Sequence, residues 1–190
     1  MPARQCGACT LCCKLLPVRE LGKLGGERCE HQRHGKGCAI YSARPPSCQT
    51  WSCKWLLDGE ALRDLRRPDR VGYVIDPMPD FVRLTDNDTG AVTELPVIQI
   101  WLDHPDAHRD PALRAWLDGE AQRVGMGALA RMPRNNDAIG LFAPSISSDK
   151  QWHEVRTNFK PEEQHSAADI ARVMAERGLR TRIVMEEEQK

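Results

Sequence analysis

The chain has no cysteine beyond Cys53, so any thiol chemistry is confined to its first third. It has no excess of either charge: 27 Lys and Arg stand against 27 Asp and Glu, and the sequence pI is near 7. That balance leaves no electrostatic footprint for nucleic acid or for an anionic membrane surface. No apolar run approaches the roughly 18 residues of a membrane helix, and the first one, CTLCCKLLPV, is short and broken by a lysine. The same shortness argues against a secretory signal. The expected compartment is therefore the reducing cytoplasm, where clustered cysteines bind metal or do redox work more often than they form structural disulfides. A P-loop, a dinucleotide-binding glycine fingerprint and a serine-nucleophile elbow are also missing. No internal repeat at solenoid spacing is present, although strands followed by a helix occur twice.

What the chain does have is a sharp break in composition near residue 60. All eight cysteines, Cys6, Cys9, Cys12, Cys13, Cys29, Cys38, Cys48 and Cys53, lie before it. Among them runs LGKLGGERCEHQRHGKGCAIY, a glycine- and charge-rich stretch with too little hydrophobic periodicity to fold by itself. Something other than apolar burial must order it. Beyond Asp69 the pattern is that of ordinary globular sequence. RVGYVID, FVRLTD and AVTELPVIQIW read as strands, the first two separated by turn formers. Asp110 and Pro111 open a helix in which Leu113, Trp116, Leu117, Ala121 and Val124 recur at helical spacing before Gly125. ALARMPR, AIGLFAP and WHEVRTN read as further strands, and Ser166 with Asp169 offers a capping box for a last helix through Ile170, Val173 and Met174 to Gly178. The expected fold class is α+β: an N-terminal, metal-stabilised cysteine-rich module over 1–60 packed on a mixed strand and helix domain over 61–184, with a charged tail at 185–190.

If 6–16 is helical, a turn of about 100° per residue puts Cys6, Cys9 and Cys13 within about 60° of one another and Cys12 about 60° further round. Adjacent thiols are poor disulfide partners, whereas thiols on successive turns converge well on a tetrahedral metal. Pro17 stops such a helix. Cys48 and Cys53, in RPPSCQTWSCKWLL, belong to a second expected helix. On a straight helix they lie about 140° apart and serve different sites unless the helix bends. Eight thiolates satisfy two separate four-sulfur zinc sites, one multinuclear thiolate cluster, or an iron-sulfur cluster with thiols to spare. Spacing does not choose among these, nor does it separate a metal that only staples a core-poor segment from one that takes part in chemistry. A thioredoxin-like role for Cys6 and Cys9 is disfavoured because no strand in a βαβ pattern precedes them.

The residues do resemble a family. CGACTLCC spells C-x-x-C-x-x-C-C, and GKGCAIYSARPPSCQTWSCKWL is similar to the second signature of the CxxCxxCC zinc- or iron-chelating family, a widespread set of bacterial proteins. The match covers the first third of the chain and takes in all eight cysteines, in order. The resemblance implies metal chelation by these cysteines, with zinc or iron as the metal, and some members of the family are called iron-sulfur oxidoreductases. It implies no settled reaction, so whether the chain is an enzyme stays open, as does a third class, a pure interaction module. The expected partner is a metal ion, with neither nucleic acid nor membrane.

Other polar groups carry weaker signals. His31 and His34 lie between Cys29 and Cys38, where a histidine could replace one sulfur, though eight thiolates already suffice for two sites. Asp103, His104, Asp106 and His108 look like a hard-metal or acid/base cluster, but Pro, Asp and His before a helix are more simply turn and cap chemistry. Arg44 precedes Cys48, and a cation there would lower a thiol pKa and stabilise an anionic cluster. Trp51 and Trp55 are expected to wall the metal site from water. Asn87, Asp88 and Thr89 spell a glycosylation sequon that has no meaning in the cytoplasm.

Overall fold

The computed structural model describes residues 4–77, 80–85, 89–135, 137–158 and 184–185. The cysteine-rich segment is built from short pieces: α1 (Leu11–Leu15), the two-residue strands β1 (Gln32–Arg33) and β2 (Gly37–Cys38), α2 (Pro46–Thr50) and α3 (Lys54–Leu57). After α4 (Pro68–Val71) come β3 (Tyr73–Ile75), β4 (Asp80–Thr85), β5 (Val92–Leu102), the long helix α5 (Pro111–Val124), β6 (Gly127–Arg131), β7 (Asp137–Phe142), β8 (His153–Asn158) and β9 (Val184–Met185). The chain is thus mixed helix and strand, consistent with an α+β class.

Strand β5 organises the main sheet. Rich in branched and aromatic residues, it pairs antiparallel with β4 along its first half and with β3 along its last residues, so both lie on one edge. On its other edge it pairs parallel with β6, and β6–β7–β8 continue as an antiparallel meander. β9 pairs with β5 at Thr93 and Glu94. A parallel neighbour cannot be reached by a tight turn, and α5 is the crossover between β5 and β6. Pro96, which lacks an N–H, falls just before the parallel pairing begins at Val97.

The two faces of this sheet bury different things. Ile98, Ile100 and Leu102 alternate to one face and, with Tyr73, Ile75, Ala130, Ile139 and Leu141, pack under Leu113 and Leu117 of α5. The intervening Val74 and Trp101 face the other way, onto Leu11 and Leu15 of α1. The sheet is therefore covered by α5 on one side and, at its β3 end, by the cysteine-rich segment on the other. Lys14 pairs with Asp103, and Arg134 donates to the Gly26 carbonyl at 3.0 Å. Arg4 lies over the Trp55 ring and donates to the carbonyls of Trp55 and Leu62 at 2.9 and 2.8 Å.

The α5 helix starts and stops where its residues dictate: Asp110 Oδ1 accepts from the Ala112 N–H at 2.8 Å, and Gly125 closes it with φ +71°. Three expectations need correction. The first helix does not run over 6–16; it starts at Leu11, because Gly7 takes φ +50° and Thr10 breaks the helical geometry, leaving Cys6–Cys9 as a turn with a Cys9 N–H to Cys6 O bond of 2.8 Å. The second helix is two helices, since Trp51 is extended and Cys53 caps α3 instead of continuing α2. And RVGYVID is strand only from Tyr73, its first residues ending α4 at the left-handed Gly72. The Ser166 capping box, the helix to Gly178 and the tail from 186 to 190 lie outside the described residues, as do Asn87 and Asp88 of the sequon; Met185, the first residue of the expected tail, belongs to β9.

Candidate metal centre

Short helices, a two-stranded ribbon and the turns between them bring the thiols together, with Cys53 at the N-cap of α3. Cys6 and Cys9 sit in the turn before α1, and Cys12 and Cys13 within it. The Cys29 N–H donates to the Cys13 carbonyl at 3.2 Å, tying the loop to the helix. Cys38 ends the β1–β2 pair, opposite Gln32, whose side chain donates to Thr10 Oγ1 at 2.7 Å. The Glu20 carboxylate accepts from the Ser47 N–H and hydroxyl at 2.9 and 2.8 Å, fixing the turn that carries Cys48. A carboxylate at an exposed helix N-terminus is a weak contact on its own; here it sets the position of the next residue.

All eight cysteines line one cavity of about 330 Å³, together with His31, Arg44 and Trp51. None of the eight is disulfide-bonded. As they stand, no three His, Cys, Asp or Glu side chains among the described residues are close enough together to hold a metal ion. His34 is exposed and does not reach the cavity. Trp55 lies behind the cysteines, its indole N–H donating to the Leu65 carbonyl at 2.9 Å. The hard-metal group is dispersed: Asp103 pairs with Lys14, Asp106 lies 3.3 Å from Arg109, and His108 is fully buried with Nδ1 2.6 Å from the Pro105 carbonyl and Nε2 3.2 Å from Glu154. His108 and Glu154, with Arg114, join the turn before α5 to β8, which is a structural role.

Lys23 is the residue that sequence reasoning missed. It is 8 % exposed, and its ammonium donates to the carbonyls of Lys14, Leu16 and Leu24 at 3.2, 2.6 and 2.9 Å. A buried ammonium is costly unless its donors are used, and here all three are. Desolvation lowers its pKa, while Cys29, Cys13 and Cys48 favour its charge. The one available signal was a lone lysine between two leucines and flanking glycines in LGKLGG, a weak cue.

The thiols are electrostatically unequal. Burial raises the pKa of Cys6, Cys9 and Cys48, and pushes Cys53 to about 11. The Cys12 thiol donates to the Cys13 sulfur, which raises Cys12 well above its ordinary range. The same bond, then Lys23 and Arg44, lowers Cys13 to about 7. Arg44 is held for this by stacking 3.8 Å over the Tyr41 ring. Because the folded pKa of Cys13 lies below the ordinary 9.0, its ionisation favours the fold above that pH, and the contribution is lost as pH falls through about 7.

No family model, no curated protein and no solved structure matches the chain. No helix among the described residues is long and apolar enough to cross a membrane.

Proposed function

We propose that this chain is a metal-chelating protein that binds zinc or iron through its clustered cysteine thiolates, the function implied by its resemblance to the CxxCxxCC family. The observation that carries it is the gathering of all eight cysteines, unbridged, around one cavity from segments up to 47 positions apart in sequence, Cys6 to Cys53. Soft thiolates select zinc, copper(I) and iron-sulfur centres over hard cations, and no comparable set of carboxylates lines the cavity. Bound metal would supply a folding constraint and, at any open coordination position, Lewis acidity.

The second reading, an oxidoreductase carrying a cysteine-ligated iron-sulfur cluster in the cytoplasm, is favoured by one observation. At about 330 Å³ the cavity is far larger than a single ion requires, and Arg44 and Lys23 stand near its sulfurs, as a net-negative cluster would need. Anaerobic purification followed by metal and sulfide analysis separates the two. A colourless protein with zinc supports simple chelation; a brown protein with stoichiometric sulfide supports the cluster. A freshly isolated chain with neither metal, its cysteines paired in defined bridges, would overturn both.

A further inference from the structure

We propose that the eight cysteines form two separate four-thiolate sites: an inner one of Cys6, Cys9, Cys12 and Cys53 for a single ion, and an outer one of Cys13, Cys29, Cys38 and Cys48 beside Lys23 and Arg44. This rests on the metal-chelating reading above and assigns the ligands within it.

The inner quartet is picked out by a second, much smaller cavity. It measures about 10 Å³, and Cys6, Cys9, Cys12 and Cys53 are the only titratable residues on its wall; Trp55, Leu56, Pro68 and Val74 complete it. A volume of about 10–15 Å³ is one water-sized sphere, so this space suits one ion and nothing larger. Three of the four, Cys9, Cys12 and Cys53, also pack against the apolar cluster of Leu11, Leu15 and Val74. Four thiolates close a tetrahedral coordination sphere, so this site has no vacant position for a substrate.

The other four cysteines line only the large cavity. Their surroundings differ in kind. Lys23 acts on Cys13, Cys29 and Cys48, and Arg44 acts on Cys13. A divalent ion with four thiolates carries two net negative charges, and these two cations offset them; the small cavity is walled by Trp55, Leu56, Pro68 and Val74, with Arg44 also near Cys6 and Asp69 near Cys9 at its edge. Cys12 and Cys13 are assigned to different sites by what else they touch: Cys12 packs against Leu11 and Leu15 toward the sheet, and Cys13 lies near Lys23 and Arg44. Their sulfurs share a hydrogen bond, which loading both sites replaces with bonds to two separate ions. All four inner cysteines also line the large cavity, and Cys6 is the one that senses Cys13 and Cys38 of the outer set as well as Cys53 of its own. The sulfurs of neither quartet yet stand close enough to hold an ion, so binding draws each set inward and releases its remaining thiol protons to solvent.

Zinc titration of the full, reduced chain tests this, with bound zinc counted per chain and unprotected cysteines mapped by alkylation. Wild type is expected to bind two zinc ions and protect all eight thiols. Cys53→Ser is expected to keep one zinc that protects Cys13, Cys29, Cys38 and Cys48, and Cys48→Ser to keep one that protects Cys6, Cys9, Cys12 and Cys53. Loss of both ions from either variant, retention of both, or a protected set that mixes the quartets would overturn the assignment. Cadmium NMR on the wild-type chain gives a reading that no variant's misfolding can imitate: two signals, each correlated with the β-protons of one quartet. A cysteine correlated with both signals would mean one bridged cluster. If wild type binds no zinc at all, the chelation reading itself fails, which is distinct from failure of the partition.

Discussion

Stripping metal with a chelator is expected to open residues 1–60 to proteases while the sheet and α5, 73–158, stay protected. The reason lies in where apolar burial occurs. Of the buried apolar side chains among the described residues, only Leu11, Leu15 and Val18 precede residue 60, and the stretch from Arg19 to Ala61 contributes none. Leu24 and Leu57 are 66 % and 62 % exposed. Each buried leucine or valine stabilises by about 1.5–3 kcal/mol, whereas a structural four-thiolate zinc site supplies about 10–16 kcal/mol of folding free energy at neutral pH. The second quantity dominates the first in this segment. Beyond residue 61 the balance reverses, since Ile100, Leu102, Leu113, Ile139 and Leu141 share one continuous core. Limited proteolysis with mass mapping, before and after chelation, reads the difference; uniform protection of the whole chain without metal would refute it.

Gly37→Ala is expected to remove at least one bound metal ion per chain, and Gly35→Ala to remove none. Both glycines have left-handed backbones, φ +88° and +66°, so each alanine carries a conformational cost of about 1–2 kcal/mol. Only Gly37 adds a collision. A Cβ there would run into the carbonyl oxygen of Gly7, whereas one at Gly35 meets open space. Gly7 lies between Cys6 and Cys9, and Gly37 immediately precedes Cys38, so relieving the collision moves the first turn away from β2. Since the Cβ is fixed to the backbone and meets a backbone oxygen, no side-chain rotation can absorb it. Metal analysis of the two purified variants decides the matter: full metal content in Gly37→Ala would show that this close approach is dispensable.

The parts of the fold that sequence made legible are those whose causes are local. The Asp110 cap, Pro111, the helical spacing through Leu117 and Ala121, and the Gly125 stop all act within a few residues, and α5 runs as they require. Strands β5 to β8 follow from branched and aromatic runs between turn formers, with ends shifted by a residue or two. The same reasoning extended the first helix too far. It treated Cys6, Cys9 and Cys13 as one face, although a left-handed glycine and Thr10 put Cys6 and Cys9 out of phase with α1. It also placed Cys48 and Cys53 on one helix, when the chain breaks between them; they are separated nonetheless, by that break.

By itself, then, the sequence determined that all eight thiols are confined to a core-poor N-terminal third and that a mixed helix and strand body follows. These are matters of composition, capping and short-range periodicity. Tertiary structure alone decided that the cysteine-rich segment lies on the sheet face opposite α5, because Val74 and Trp101 point one way while Tyr73, Ile75 and Ile100 point the other. It alone brought Cys53 to the turn of Cys6 and Cys9 and set Lys23 on the carbonyls at the end of α1 beside Cys13 and Cys29. The physical reason is range. A cap or a periodic stripe is fixed by neighbours within about one helical turn, whereas the neighbour of a sulfur here is fixed by which buried surface its whole segment packs against, and that depends on strands dozens of residues away.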